Sequence, residues 1–331
     1  MTQAVEHALI RHQGIGDTFE GVYYVESAYV KQTVQKKDYT DLMLRDKSGS
    51  RNVKLWAKAA GVEKGCFVFI AAHVDEYQGT PSIVAKNVEK TEIPADLSNY
   101  VPIYDDSGAT TNASRFDEIR AELKAIEVKT GNPTAGMIVD EVYQNATFFA
   151  NFVVAPGSGR PHYGCQGGLL ANTVRVAEAS LKAAESYNLT DQERAVLLAS
   201  ALLARIGAIE AFGFKDCMPV MTKKGTLLGI NNLTMSRVST ALKRVVTALK
   251  NADKSVDQET VVRILHAVTA HDGVCVQPMT KEAIVLNVAF NTDAQVVDAM
   301  DFIESDVNKT EEFTAWDPSM GRKYYTGIRT A

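Results

Sequence analysis

The sequence predicts an α+β chain of more than one domain, a small closed five-stranded β-barrel followed by an all-α region. Two patterns and the break between them carry this reading. From Phe19 to about Glu92 apolar residues alternate over short runs, the two-residue period of half-buried strands. From Arg115 onward they recur at helical spacing, as in Phe116, Ile119, Leu123 and Ile126. Residues 94–114, between the two, carry proline, glycine and small polar residues without period, the composition of a linker.

Taken in order, the strand runs are Phe19–Val25, Tyr39–Leu44, Asn52–Trp56, Cys66–Ile70 and Ser82–Ala85. Turn-forming residues separate them: Asp46-Lys-Ser-Gly49, Lys64-Gly65 and Gln78-Gly79-Thr-Pro81. Five short strands in this span suit a small barrel, with an SH3-like barrel as the competing topology. Ser114 is the expected N-cap of the first helix, which begins at Arg115. Further helices are expected over Ala135–Phe149, Leu169–Tyr187, Asp191–Ile206, Ser236–Asn251, Asp257–His271 and Lys281–Ile303. The resulting division is an N-terminal segment (1–14), a barrel (15–93), a linker (94–114), a helical domain (115–305) and a polar, aromatic tail (306–331).

A chain of 331 residues exceeds what one core usually organises. Hydrophobic residues make up 46% and charged residues 23%, ordinary for globular proteins, and no apolar run is long enough to cross a bilayer. The first residues, MTQAVEHALIRHQ, lack the basic flank and apolar stretch of a secretory signal, so a cytoplasmic protein without membrane contact is expected. Cys66, Cys165, Cys217 and Cys275 lie far apart, which argues against a zinc ribbon or a disulfide framework.

The formal net charge of −5 hides a local excess of the opposite sign. Between Lys31 and Lys58 stand eight cations (Lys31, Lys36, Lys37, Arg45, Lys47, Arg51, Lys54, Lys58) and three acids (Asp38, Asp41, Asp46). Tyr29, Tyr39 and Trp56 interleave with them. Cations that track phosphates and rings that stack on bases are what a single strand needs. The candidate nucleic-acid-binding residues are Lys31, Lys36, Lys37, Tyr39, Trp56, Lys58 and Tyr77. The competing reading places Trp56 and some of the tyrosines in the barrel core and the lysines on plain solvated strand faces.

The pattern Phe19-x-Gly21-x-Tyr23-x-Val25, then Tyr39-x-Asp41-Leu42-x-Leu44-x-Asp46-x-Ser48-Gly49 and Lys54-Leu55-Trp56, resembles the OB-fold that opens the YhaM-type 3′-5′ exoribonucleases. The resemblance extends to about residue 300. It implies an OB-fold that binds single-stranded DNA or RNA, followed by a helical HD-type phosphohydrolase domain.

Within the HD-like part, the family's metal-ligand positions are altered. Gly167-Gly168-Leu169-Leu170-x-Asn172-Thr173 resembles a motif whose histidine is Asn172 here. Ala204-Arg205 stand where the family has its His-Asp pair. Ile230 replaces a histidine and Phe290 an aspartate, with Asp293 matching a second aspartate. His266, His271 and Asp272 remain, together with His162. A hydrolytic metal needs several imidazoles and carboxylates converging on one point, and His266 and His271, five apart, project about 140° from each other around a helix. The expectation is therefore a protein without enzymatic activity, metal or cofactor, its degenerate HD domain serving as scaffold or as a surface for self-association or a partner protein. Arg205, in the vacated pocket, would suit a phosphate. Two alternatives stand beside this reading: a divergent metal-dependent 3′-5′ exonuclease or phosphohydrolase, and an interaction or inhibitor module.

Overall fold

The computed structural model describes residues 7–33, 35–77, 80–104, 111–159, 163–215, 217–252, 254–305 and 312–327. It forms two compact units, one of Met1–Ile103, Asp216–Met218 and Ala299–Ala331, the other of Tyr104–Lys215 and Pro219–Asp298.

In the first unit, β1 (Thr18–Gln32), β2 (Asp38–Asp46), β3 (Gly49–Leu55), β4 (Phe67–Tyr77) and β5 (Thr80–Thr91) close into a barrel in the order β1-β2-β3-β5-β4. This is the OB topology rather than the SH3-like one. β3 and β5 pair in parallel, and the remaining pairs are antiparallel. β1 is long because it serves two neighbours. Thr18–Tyr24 pair with β4 and Tyr24–Gln32 with β2, and a bulge between Val25 and Ser27 bends the strand between the two. The alternation expected from sequence fills the interior: Phe19, Leu42, Leu44, Val53, Val68 and Ile70 are buried.

A short 3-10 turn, Ile10–His12, belongs to the barrel rather than to a free leader. Ile10 is fully buried in the barrel core, and the Tyr23 hydroxyl donates to Ala8 O at 2.6 Å. The clasp is Asp46, which has no solvent exposure. Its carboxylate accepts from Ile10 N (2.7 Å), Ser48 N (2.7 Å) and Ser48 Oγ (2.5 Å) and lies 3.2 Å from His7 Nε2. It thereby shapes the β2–β3 turn and holds the N-terminal segment. Gly49 completes the turn at φ 124°, and a Cβ there would lie 2.5 Å from Arg11 Cδ.

The helices are α1 (Asn112–Thr130), α2 (Thr134–Tyr143), α3 (Ala146–Val154), α4 (Gly168–Ser186), α5 (Asp191–Leu203), α6 (Ala208–Ala211), α7 (Lys223–Lys250), α8 (Gln258–Ala270) and α9 (Lys281–Ser305), with the short strands β6 (Phe212–Lys215) and β7 (Met218–Met221) before α7; all belong to the second unit except Met218 and the end of α9 from Ala299. α5 is the central helix: every residue from Ala195 to Leu203 is buried, as an all-round apolar helix requires. Its start is set by a capping box between Thr190 and Glu193. Three sequence expectations are corrected. Thr111, not Ser114, caps α1, its hydroxyl accepting from Ser114 N at 3.2 Å. The single helix expected over Ala135–Phe149 is two, because Asn145 Oδ1 accepts from Phe148 N at 2.9 Å and starts α3 afresh. α7 begins well before Ser236 and kinks at Gly229 (φ 73°, ψ 158°).

Asp46→Ala leaves two buried or half-buried N–H groups without their acceptor. The expected result is a loss of about 2–3 kcal/mol of stability, read by urea unfolding followed by circular dichroism. An unchanged midpoint would mean that the clasp is dispensable.

Candidate nucleic-acid interface

Residues directly opposite one another on paired strands share a face of the sheet. Lys31 on β1 pairs with Tyr39 on β2, Tyr29 with Asp41, and Asp41 in turn with Lys54 on β3. These side chains therefore form one outward face. Trp56, just beyond β3, joins it: its ring lies 5.4 Å from that of Tyr39, tilted by 44°. Tyr77, at the end of β4, meets Lys54, whose Nζ stands 5.5 Å from the ring centre. Tyr29, Trp56 and Tyr77 are about 60% exposed, so the reading of these rings as core is set aside.

The position of Trp56 and Lys58 depends on Thr40, buried on the inner side of β2. Its hydroxyl donates to Ala57 O (2.8 Å) and accepts from Ala59 N (2.9 Å), pinning the chain that carries both residues. Lys36 and Lys37 lie on the β1–β2 turn, where Lys36 takes a left-handed backbone (φ 59°) and Thr33 O accepts from Lys36 N at 2.8 Å. A surface groove of about 370 Å³ runs between this turn and Trp56, lined by Thr33, Gln35, Lys37, Asp38 and Trp56.

The eight cations counted in sequence do not act alike. Lys31 is ion-paired to Asp41, and the hydrogen bond to that carboxylate holds its ammonium above the usual lysine range. Burial alone would raise Asp41, but hydrogen bonds from Lys31 and Asn52 and the charges of Lys31 and Lys54 outweigh it and keep the carboxyl below its ordinary value. Arg45 is buried against Glu26. Arg51 donates to Gln13 O (2.5 Å) and Ile10 O (3.3 Å). These two arginines hold the barrel together. Lys54, absent from the candidate set, sits centrally on the face. Its sequence signal was its placement two residues before Trp56, on the side of β3 opposite Val53 and Leu55.

In the helical unit the altered positions make contacts of their own. Asp293 is 7% exposed and accepts from Asn172 Nδ2 (2.8 Å), Arg175 Nε (3.0 Å) and the Tyr163 hydroxyl (3.1 Å). Burial and the Asp293 charge push the Tyr163 phenol above its usual range. Arg205 donates from Nη2 to Gly157 O at 2.9 Å, and burial lowers its pKa. His271 is 2% exposed; its Nδ1–H donates to Val268 O at 2.8 Å and its ring lies 4.8 Å from that of Phe290. His266 is separated from it in role as in angle, since its Nε2 accepts from Met279 N at 2.9 Å. Asp272 accepts from Asn231 Nδ2 at 2.8 Å, and Ala204 is fully buried in the apolar core. Ile230 packs against the same core. His162 lies outside the described residues.

Among the described residues the donor set does not suit a divalent cation. Asn172, Arg175 and Tyr163 already donate to the Asp293 carboxylate, Arg205 brings a positive charge, and His266 and His271 are bonded to different partners. Among the described residues no group of three or more histidine, cysteine or acidic side chains is placed to hold a metal ion. Among the same residues no helix is long and apolar enough to cross a membrane.

No family model matches the chain. It is similar to proteins named 3′-5′ exoribonuclease YhaM. The protein from Bacillus velezensis is 23% identical over 293 residues, covering 86% of this chain and 87% of that one. Those from Bacillus subtilis strain 168 and Listeria welshimeri are each 22% identical, covering 85% and 90% of this chain and 86% and 88% of theirs. Two solved structures of a replication protein A domain from Methanococcus maripaludis also match, one described as its second OB-fold domain. They are 20% and 26% identical, cover 27% and 26% of this chain and 99% and 96% of theirs, and both have a TM-score of 0.23. The relatives correct one expectation. A chain without enzymatic activity was inferred from the altered ligand positions, whereas five proteins similar over most of its length all bear an exoribonuclease name.

His271 provides a pH test of the helical unit. Burial, reinforced by the nearby Arg205 charge and opposed by the bond to Val268 O, pushes its pKa from 6.5 to about 4. Because the folded value lies below the unfolded one, the stability contributed by neutral His271 is complete above about pH 6.5 and is lost as pH falls towards 4. The loss reaches about 3 kcal/mol. Urea unfolding of the wild type should show this acid decline, and His271→Gln should flatten it. Parallel profiles for the two proteins would exclude His271 as the cause.

Proposed function

We propose that the chain binds single-stranded nucleic acid, RNA foremost, on the barrel face of Lys31, Tyr39, Lys54, Trp56 and Tyr77, with Lys36, Lys37 and Lys58 at its edge. The observation that carries the reading is the convergence of three well-exposed rings, Tyr29, Trp56 and Tyr77, with Lys54 on one outward face. Stacking on such rings holds bases without regard to their identity, and the cations track the phosphates. The preference for RNA is supported by the name of the relatives.

The same relatives favour a second reading joined to the first: 3′-5′ exoribonuclease action on the strand the barrel holds. The similarity runs over both units and not over the barrel alone. No metal-dependent step is assigned to Asn172, Ala204, Arg205, Ile230 or Phe290, since these residues do not make a cation site.

Both readings are tested with the purified chain. Trp56→Ala should weaken binding of a single-stranded RNA by about five- to 150-fold, and Lys54→Glu should weaken it further at low salt than at high salt. Wild-type affinity should fall with added salt, with a logarithmic slope of about −2 to −3 for three or four neutralised phosphates. Equal affinity for the wild type and a folded Lys54→Glu, Trp56→Ala double variant would remove the barrel face from consideration.

Nuclease action is expected to shorten a 5′-labelled single-stranded RNA progressively from its 3′ end, assayed both with and without added Mn²⁺ or Mg²⁺. Strands that are bound but stay full length under all these conditions would overturn the exoribonuclease reading and leave the binding reading in place.

A further inference from the structure

The C-terminal residues have no part in the interface described above. Glu312–Gly327 fold into a small hairpin, with isolated bridges between Phe313 and Tyr325 and between Asp317 and Arg322. It groups with the barrel-containing unit. Its shape comes from one carboxylate. Asp317, 2% exposed, accepts from Ser319 N (2.8 Å), Ser319 Oγ (2.6 Å), Met320 N (3.3 Å) and the Tyr324 hydroxyl (3.1 Å). Thr314, also buried, accepts from Tyr324 N at 3.0 Å through its hydroxyl.

With Asp317 and Thr314 turned inward, the hairpin leaves its rings exposed. Phe313, Trp316 and Tyr325 are 46%, 59% and 66% exposed. Phe313 and Tyr325 support each other across the hairpin at 5.3 Å. Arg322 and Lys323 are exposed beside them. Asp317 is occupied by its four bonds, and the exposed acid Glu312 sits at the open end, where its carbonyl accepts from Thr326 N. Three large exposed rings on one hairpin, with two exposed cations of which Arg322 donates from Nε to Met320 O at 3.3 Å, are apolar exposure of the kind that marks a binding surface. The combination of rings and cations is the one found on the barrel face.

We propose that this hairpin is a second single-strand contact, with Trp316 and the Phe313–Tyr325 pair stacking on bases while Arg322 and Lys323 meet phosphates. The inference rests on the reading of the barrel as a single-strand binder. It adds a contact site of its own, so that one chain engages a strand at two points and the second contact raises avidity.

The chain contains two tryptophans, one at each site, and this separates the two claims. In full-length Trp56→Phe the emission reports Trp316 alone, and in Trp316→Phe it reports Trp56 alone. Each protein is titrated with a 20-nucleotide single-stranded RNA at low salt. Saturable quenching of both is expected, and a Trp316→Ala, Tyr325→Ala variant should lose about five- to 150-fold in affinity. If Trp56 is quenched while Trp316 is not, and that variant binds within twofold of wild type, the hairpin proposal fails and the barrel reading stands. If neither is quenched and no RNA is retained, both fall. Trp316 emission that ignores RNA but shifts on dilution of the protein would assign the hairpin to contact with a second copy and overturn the proposal.

Discussion

β1 pairs with β4 along its first half and with β2 along its second, and a bulge between the two bends the strand so that the barrel closes. The bulge between Val25 and Ser27 separates the part of β1 that pairs with β4 from the part that pairs with β2. Closure then removes the free edges that an open sheet would present. It also curves the outer surface so that neighbouring strands bring Tyr29, Lys31, Tyr39 and Lys54 together. Buried Thr40 and Asp46 complete the arrangement from inside. Thr40 fixes the exit of β3 and with it Trp56. Asp46 fixes the β2–β3 turn and the N-terminal turn that covers Ile10.

The helical unit shows how a charged centre can be neutralised from within. Asp293 would be costly to bury alone. It is held instead by an arginine, an amide and a phenol, a donor set that meets the needs of an ionised carboxylate with protein groups. On α8 and its flanks His271 is kept neutral by burial and packed on Phe290, and Asp272 is bonded to Asn231. These contacts give each buried polar group of the cluster a protein partner.

Most of the barrel was legible because a two-residue period and glycine-bearing turns are local properties. Most of the helical spans followed in the same way, from apolar residues at helical spacing. The departures have local causes too. Thr111 and Asn145 each accept from the N–H three residues on, and which of several capping-type side chains near a helix start does so is not ranked by composition. The charge count misled for another reason. Arg45 and Arg51 are cations like Lys54 in a sequence, and only their partners, Glu26 and the carbonyls of Ile10 and Gln13, show that they hold the barrel and not a ligand.

By itself the sequence determined where most of the strands and helices lie and that the first part is a barrel with a locally basic, ring-bearing stretch. Each of these is a matter of residue type and spacing along one stretch of chain. The tertiary structure decided which cations are uncovered, that Lys54 and Tyr77 meet although they lie on different strands, and that Asn172 and Asp293 join one bonded cluster. It also decided that Phe313, Trp316 and Tyr325 stand outward on a hairpin that composition marked only as polar and aromatic. The reason is common to all four: exposure and partnership are set by groups distant in sequence, brought near by strand pairing, by helix packing or by a single buried carboxylate.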